Sequence, residues 1–406
     1  MLNVFKFFTP LPCLKAPATS FQGHVMARGL FQLSTLFRPW DRHAYWCVIC
    51  CILWSCLCPA SALPQPAVNP PQIRLVATFD HPQSTDLSWS ADGQYLATSG
   101  LSGILKKGLF EKNINLPTIA VWDVANKKLL QSYPRKGARP FVALIGQGPQ
   151  ILGFSPTASG WDTGIAFSIW DAGAGEAPKH IAGPASADNP RAYVDNQPRS
   201  FAYNFLTGRV IVAHGQGNAV FLYNVSDWSR KAIVLQGLRP HNLSFSPDGR
   251  HLAFGDQSRH EIIELSSGKQ IVSFYPFDTV SNSTAWSPDG RRIAFIKSFI
   301  GGIKASAPSD IKVWDAVTGR SLHDYMGDFS GSALVSNGRA ITWSFDGRFI
   351  ATSTFDRIVR LWHADRPELA AEVSREKSSG SGIAFSPTAN LLAIASHEAV
   401  KIFEIK

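Results

Sequence analysis

The chain has 406 residues, of which 45% are hydrophobic and 17% are charged, a composition that suits a globular protein with a large core. Its formal net charge of +9 falls to +5 from residue 63 onward, where 34 Lys and Arg face 29 Asp and Glu without a basic run, so nucleic-acid binding is poorly supported. All six cysteines lie between Cys13 and Cys58, which excludes disulfide, zinc-thiolate and cysteine-nucleophile chemistry from the rest of the chain.

The first element in chain order is an apolar segment without charge, residues 44–63. Arg38 and Arg42 precede it and Ala60-Ser61-Ala62 ends it, a pattern typical of a signal peptide that is cleaved after Ala62. An uncleaved membrane anchor is the alternative, because about 20 apolar residues can span a bilayer. In both cases the basic flank stays inside and the rest of the chain is exported.

Two further readings of this leader remain open: translation could start at Met26, and Cys56 could be a lipoprotein cysteine. We therefore predict a signal peptide or membrane anchor over residues 1–62 and a Pro-rich linker over 63–71. The following domain, 72–406, is expected to be periplasmic or extracellular, with membrane contact only through residues 44–63 if that segment is retained.

From residue 72 the chain repeats one unit, an apolar strand, a glycine turn and a second apolar strand. Asp-Gly occupies the clearest turns, as in Asp289-Gly290, because Gly accepts the positive φ of a tight hairpin and Asp hydrogen-bonds local backbone. The hairpins are predicted at 87–100, 141–155, 201–215, 243–256, 284–298, 341–354 and 383–396.

A third strand follows each hairpin and usually ends in Trp-Asp or a similar pair, as in Ile311-Lys312-Val313-Trp314-Asp315. Its alternating side chains favour strands over helices. Units of this size are typical of four-stranded blades, so we predict an all-β, seven-bladed β-propeller. The strand 73–79 precedes the first hairpin and is expected to complete the last blade, which closes the ring and removes exposed edges.

These hairpins and Trp-Asp strands resemble the WD-repeat (WD40) family, and the WSPDGRRIAF-type hairpins are also similar to TolB-like propeller repeats. The resemblance implies a structural network of His, Ser, Trp and Asp side chains, which is incomplete here. The residues assigned to it are His81, Ser99, Trp122, Asp123, Trp170, Asp171, Trp314, Asp315, Ser353, Asp356 and Trp362.

Catalytic motifs are missing from the sequence: it has no HExxH, no GxSxG and no phosphate-binding loop. The histidines lack metal-ligand spacing. We therefore predict no enzyme activity, no cofactor and no metal. The alternative is a lyase or hydrolase with a polar or metal site at the ring axis, for which Asp86 and His241 are scattered candidates.

Long connections are predicted on one face of the ring, between the second and third strands and between successive blades. Loops on a rigid scaffold commonly carry function, so this face is expected to bind a protein or peptide partner as a scaffold. Apolar and basic residues of three loops are the candidate contacts. They are Lys106, Lys107, Phe110, Trp161, Phe299 and Lys304.

Overall fold

A computed structural model describes the chain from Pro70 to Lys406 with gaps. The described residues are 70–84, 86–102, 105–107, 110–112, 116–134, 142–146, 148–155, 166–173, 179–181, 198–214, 219–235, 241–256, 259–275, 281–297, 311–325, 338–354, 356–377 and 382–406. Pro70–Lys406 form one compact unit. Within the described ranges, every regular element is a β-strand, and no helix is long and apolar enough to cross a membrane. The predicted leader lies outside these residues.

The described strands form seven four-stranded antiparallel sheets and one two-stranded sheet. Sheet 1 contains β2 (Asp86–Trp89), β3 (Tyr95–Ser102), β6 (Leu116–Asp123) and β7 (Lys128–Pro134). Sheet 2 contains β8 (Val142–Ile145), β9 (Gln150–Ser155), β10 (Ala166–Asp171) and β11 (Lys179–Ile181). Sheet 3 contains β12 (Pro198–Asn204), β13 (Arg209–His214), β14 (Ala219–Asn224) and β15 (Arg230–Val234).

The second half of the chain repeats the same order. Sheet 4 contains β16 (His241–Phe245), β17 (His251–Asp256), β18 (Arg259–Glu264) and β19 (Gln270–Phe274). Sheet 5 contains β20 (Ser281–Trp286), β21 (Arg292–Lys297), β22 (Ile311–Asp315) and β23 (Ser321–Tyr325). Sheet 6 contains β24 (Gly338–Trp343), β25 (Phe349–Thr354), β26 (Ile358–His363) and β27 (Leu369–Arg375). Sheet 7 contains β28 (Gly382–Phe385), β29 (Leu391–Ala395), β30 (Val400–Ile405) and β1 (Ile73–Phe79).

The ends of the described chain meet in sheet 7, as the sequence predicted. β1 pairs with β30 in antiparallel register from Ile73 opposite Ile405 to Phe79 opposite Val400. Gln72 and Lys406 exchange backbone hydrogen bonds of 3.0 Å in both directions. The N-terminal strand therefore covers the outer edge of the last sheet, an edge that would otherwise expose unpaired backbone groups.

The hydrophobic core lies between neighbouring sheets. Seven clusters of buried residues join the sheets pairwise, and one of them joins sheet 7 back to sheet 1 through Ala393 and Leu96. Alternate side chains of each central strand thus pack against the sheet before and the sheet after. This arrangement confirms the predicted all-β propeller.

The Ser-x-Asp-Gly turns adopt one geometry. In the turn of sheet 5, the Ser287 hydroxyl donates to Asp289 over 2.5 Å, the Arg291 backbone N–H donates to the same carboxylate over 3.0 Å, and Gly290 has φ of 68°. A side chain at Gly290 would be strained at this φ. The local sequence therefore specifies where each hairpin reverses.

The strand order gives the ring two different faces. The short-turn face is formed by the turns between the first and second strands, such as 344–348, and between the third and fourth, such as 315–320. The long-loop face is formed by the connections between the second and third strands, such as 103–115, and between successive sheets, such as 80–85. All first strands run from the long-loop face to the short-turn face.

Candidate functional site

A small hairpin on the long-loop face contains three of the predicted contact residues. β4 (Leu105–Lys107) carries Lys106 and Lys107, and β5 (Phe110–Lys112) carries Phe110. The two strands pair, with Lys106 opposite Glu111 and Lys107 opposite Phe110. The long connection predicted between the second and third strands of this repeat therefore contains a pair of strands that the sequence did not predict.

Sheet 1 itself is longer than predicted at its long-loop end. β3 and β6 stay paired as far as Ser102 opposite Leu116, two residues beyond the predicted end of the second strand. The other three predicted contacts, Trp161, Phe299 and Lys304, lie outside the described residues.

A buried polar network sits where sheet 1 meets the long-loop face. His81 is 3% exposed, its Nδ1 lies 2.6 Å from Thr98 Oγ1, and its Nε2 lies 2.9 Å from Thr118 Oγ1. Ser84 Oγ lies 3.1 Å from the same Nδ1. Trp122 donates its indole N–H to Thr98 Oγ1 over 3.0 Å, so Thr98 is the hub of the network.

Burial sets the charge state of this histidine. It lowers the pKa of His81 to about 4, and the nearby Asp80 carboxylate acts in the opposite direction. The imidazole is therefore neutral at pH 7, and its two nitrogens can act as one donor and one acceptor toward the hydroxyls. The network stabilises the fold instead of supplying a proton donor near neutral pH.

The assignment of Ser99 to this network was wrong. Ser99 Oγ is buried and has no hydrogen-bond partner among the described residues. Leu96 lies opposite Trp122, and side chains alternate along β3, so Thr98 shares the face of Trp122 while Ser99 points to the other face. The correct hydroxyl is one residue earlier than the sequence pattern suggested.

Sheet 6 shows the same shift by one residue. Trp362 donates its indole N–H to Thr352 Oγ1 over 2.9 Å, so the indole partner is Thr352 and not the predicted Ser353, which is also buried. Asp356 pairs with Arg360 at 2.6 Å and accepts a hydroxyl hydrogen bond from Thr354. Burial alone would raise the pKa of Asp356, but these hydrogen bonds together hold it below its ordinary value.

In sheet 5 the equivalent indole has no hydroxyl partner. Phe295 occupies the position of Thr98 and Thr352, and the Trp314 indole nitrogen is buried without a hydrogen-bond partner among the described residues. The Trp314 ring instead contacts Phe274 edge-on, with centroids 5.4 Å apart. This sheet relies on apolar packing, as the incomplete pattern predicted.

The aspartates of the Trp-Asp pairs cap the turns at the short-turn face. Asp123 accepts the Asn126 backbone N–H at 2.9 Å, Asp171 accepts that of Gly173 at 2.7 Å, and Asp315 accepts that of Thr318 at 2.7 Å. These are Asx-type turns.

Trp170 lies opposite Ile151 in β10 of sheet 2, and its side chain is outside the described set.

A charged cluster joins sheets 6 and 7 on the long-loop face. Lys401 Nζ lies 3.0 Å from both carboxylate oxygens of Glu376, whose side chain is fully buried. Lys377 and Glu398 form a more exposed pair at 2.6 Å. These side chains neutralise one another, so the cluster links two sheets by paired charges.

Asp86 and His241, the two candidates for a site at the ring axis, lie in different sheets. Asp86 begins β2 of sheet 1, and its carboxylate accepts the Leu87 backbone N–H at 3.0 Å. His241 begins β16 of sheet 4 opposite Gly255. In the described part of the chain, no group of three or more His, Cys, Asp or Glu side chains could hold a metal ion.

One set of polar aromatic residues was missed by the sequence reasoning. Trp89, Trp286 and Trp343 donate their indole N–H groups to first-strand carbonyls of the preceding sheet, those of Ala384, Ser244 and Ala285, over 3.0–3.2 Å. Tyr203 makes a contact to the preceding sheet in the opposite direction, since its hydroxyl oxygen accepts the Gly146 backbone N–H at 2.9 Å. The recurring Trp directly before the turn serine was the available signal.

Two segments of the chain match a protein-family model described as WD domain, G-beta repeat: residues 73–106 and residues 326–363. The first contains His81 and Thr98, and the second contains Thr352, Asp356 and Trp362. The two matches thus include β3 and β25, the strands that carry the buried hydroxyl partners of an indole. A comparison with curated proteins gives no match.

Proposed function

We propose that this chain, a WD40-repeat β-propeller whose seven sheets are its seven blades, is an exported, non-catalytic scaffold that binds a protein or peptide partner on its long-loop face. WD40 propellers commonly bind proteins, which fits this role. The hairpin β4–β5 carries the proposal, because three of the predicted contact residues fall in this one pair of strands within the connection between β3 and β6.

The rigidity of the scaffold supports a binding role. Each sheet shares a core cluster with both neighbours, and indole N–H groups connect successive first strands across three of the interfaces. When a partner binds such a surface, the scaffold itself loses little conformational entropy.

The electrostatics of the same face favour binding over proton transfer. Asp356 and Glu376 are each engaged by a cation, Arg360 and Lys401 respectively. His81 is held neutral by burial. Catalytic acids and bases usually have pKa values tuned toward the working pH, whereas the shifts of His81 and Asp356 lead away from it.

The proposal of export rests only on the sequence of residues 1–62. The uncharged segment 44–63 with its basic flank and Ala60-Ser61-Ala62 supports it. N-terminal sequencing of the protein recovered from cell fractions tests it: a chain that begins at Leu63 outside the cytoplasm supports a cleaved signal. A chain that retains residues 1–62 and stays in the cytoplasm contradicts export.

Partner capture from envelope extract tests the binding face. Three variants of the full chain are compared with the unchanged protein: replacement of residues 103–115 by a short Gly/Ser turn that joins Ser102 to Leu116, Phe110→Ser, and Leu129→Ser. Leu129 is 41% exposed on the outer strand of the same sheet and is the matched control.

We expect a specific partner that the unchanged chain and Leu129→Ser retain, and that both hairpin variants lose. Retention by the hairpin variants would move the binding site away from β4–β5. A third outcome would favour the alternative of an enzyme with a site at the ring axis. In that case the protein captures no specific partner but converts a small molecule, and Asp86→Asn abolishes the conversion.

A further inference from the structure

The junction between sheets 4 and 5 contains a group of buried polar atoms that have no hydrogen-bond partner among the described residues. They are both ring nitrogens of His260, the hydroxyl oxygen of Thr284 and the indole nitrogen of Trp314. Phe295 lies next to two of these residues, because its ring centroid is 4.6 Å from that of His260 and its backbone pairs opposite Thr284. The ring of Phe274 lies 5.5 Å from Phe295 and 5.4 Å from Trp314, and it joins the third.

His260 is enclosed by this junction. It is 2% exposed and lies in β18 opposite Gly255. A Cβ atom at Gly255 would come within 2.3 Å of the imidazole, so the ring occupies space that only glycine leaves open. On the same face of β18, Ile262 packs with Phe295 and Ala316 of sheet 5. The imidazole is therefore shielded from water while the two sheets are in contact.

A hydroxyl group that serves other sheets is missing here. In sheets 1 and 6, Thr98 and Thr352 accept the indole N–H of the third strand. Phe295 holds the corresponding position in sheet 5 and offers no acceptor. A polar group that is buried without a partner is destabilising. The junction therefore stays closed against the cost of several unpaired groups.

Burial determines the protonation of His260. It lowers the pKa of His260 to about 4. Arg259 and Glu261, its neighbours along β18, pair with each other and lie on the opposite face of the strand. Lys312 and Asp324 also pair with each other, at 3.4 Å. By strand alternation, the titratable positions on the strand faces directed into the junction are His251 in β17, Glu264 in β18, Lys297 in β21, Lys312 in β22 and Asp324 in β23.

His81 differs from His260 in what surrounds its nitrogens. Its Nδ1 and Nε2 lie 2.6 Å and 2.9 Å from the hydroxyl oxygens of Thr98 and Thr118. A hydroxyl oxygen can accept a hydrogen bond, so a protonated His81 keeps a partner at each nitrogen. A protonated His260 would have none among the described residues, and an unpaired charge in an apolar junction is far more costly.

We infer that the junction between sheets 4 and 5 is an acid-sensitive opening point of the ring, at which protonation of His260 separates the two sheets before the other junctions open. Single units of a fold can open at a lower free energy than global unfolding requires. Opening exposes the imidazole to water, which favours its charged form. Acid opening of the ring involves no partner, so its failure and that of the scaffold proposal are separate results.

The size of the effect follows from two protonation equilibria. The pKa of His260 is about 4 in the closed junction, and its ordinary value of 6.5 applies once the junction is open. The closed form is therefore fully favoured above about pH 6.5, and this advantage is lost as the pH falls toward 4. Between pH 7.5 and pH 5 the opening equilibrium should rise about 30-fold.

Labelling of a buried thiol measures this opening in the full chain. Ala253 is 2% exposed and faces sheet 5 from β17, and Ala97 is 0% exposed and holds the same position of the repeat in sheet 1, facing sheet 2. Each is replaced by Cys in a separate variant, and peptide mass spectrometry distinguishes the new thiol from the six natural cysteines. Protection is the labelling rate of the urea-unfolded chain divided by that of the folded chain at the same pH.

We expect protection of the Ala253→Cys thiol to fall about 30-fold from pH 7.5 to pH 5, and that of the Ala97→Cys thiol to change much less. An equal fall at both thiols, which indicates global unfolding, or no fall at the Ala253→Cys thiol would overturn the inference. Ala316→Cys, at a position 4% exposed on the sheet 5 side, repeats the measurement if Ala253→Cys does not fold.

The role of His260 is tested in the Ala253→Cys background. His260→Phe and His260→Leu should each remove the dependence of protection on pH, because neither side chain can be protonated. His251→Phe, in β17 of the same sheet, is the matched control and should keep the full dependence. A fall in protection that persists in both His260 variants, or that His251→Phe abolishes, would refute the assignment to His260.

Discussion

Replacement of Thr98 by Val should destabilise the propeller far more than replacement of Ser99 by Ala. Both hydroxyls are buried in adjacent positions of β3. Thr98 Oγ1 accepts the Trp122 indole N–H at 3.0 Å and lies 2.6 Å from His81 Nδ1, whereas Ser99 Oγ has no partner in the described part of the chain. The pair therefore separates a hydroxyl that makes hydrogen bonds from one that does not.

The magnitude follows from the groups left behind. Thr98→Val keeps the volume of the side chain but leaves the Trp122 indole N–H buried without its acceptor, and each unsatisfied buried polar group costs about 1–3 kcal/mol. His81 keeps its hydrogen bonds to the hydroxyls of Ser84 and Thr118. We expect a loss of about 2–4 kcal/mol in the free energy of unfolding for Thr98→Val and a change within about 1 kcal/mol for Ser99→Ala.

Pulse proteolysis of the full chain across a urea series measures both variants under the same conditions. A urea midpoint that falls for Thr98→Val and stays near that of the unchanged protein for Ser99→Ala supports the assignment. The opposite order, with Ser99→Ala the more damaging substitution, would show that the hydroxyl partner of Trp122 is misassigned. In sheet 6, Thr352→Val is expected to behave like Thr98→Val because Thr352 accepts the Trp362 indole N–H.

Three further predictions concern the closure, the histidines and the contacts between sheets. Deletion of residues 70–79 removes β1 from the edge of sheet 7 and should abolish cooperative unfolding; a truncated chain that stays soluble with an unchanged urea midpoint would contradict the closure. Burial lowers the pKa of His81 and of His260 to about 4, below the unfolded value of 6.5, so stability is fully present above about pH 6.5 and is lost as the pH falls toward 4. His260→Phe should therefore reduce the loss between about pH 7.5 and pH 5 by about 2 kcal/mol, and an unchanged pH profile would argue against a buried neutral His260. Trp343→Phe removes the indole hydrogen bond to Ala285 and should cost about 1 kcal/mol or more, measured as a lower urea midpoint, whereas a midpoint equal to that of the unchanged chain would show that this bond adds nothing.

Much of the fold could be predicted from the sequence because its determinants are local. The Asp-Gly turns specify reversal through the positive φ of residues such as Gly290, and alternating apolar side chains specify strands such as β22. The pairing of β1 with β30 was also predictable, since the last repeat had three strands and the segment 73–79 had the character of a fourth.

The candidate site was predicted less completely. The sequence placed Lys106, Lys107 and Phe110 in one long connection, and the structure unites them in the hairpin β4–β5. That hairpin carries none of the Asp-Gly turn pattern of the repeats, so no periodic signal marked it.

Only the tertiary structure determined which side chains of each strand face which residues of the neighbouring strands and sheets. Thr98 and Ser99 are chemically similar and adjacent, and a strand directs them to opposite faces, so only the register of β3 against β6 shows that Thr98 meets Trp122. The sequence by itself thus determined the strands, the turns and the closing element, because these depend on neighbouring residues, and long-range packing determined the partners of their side chains.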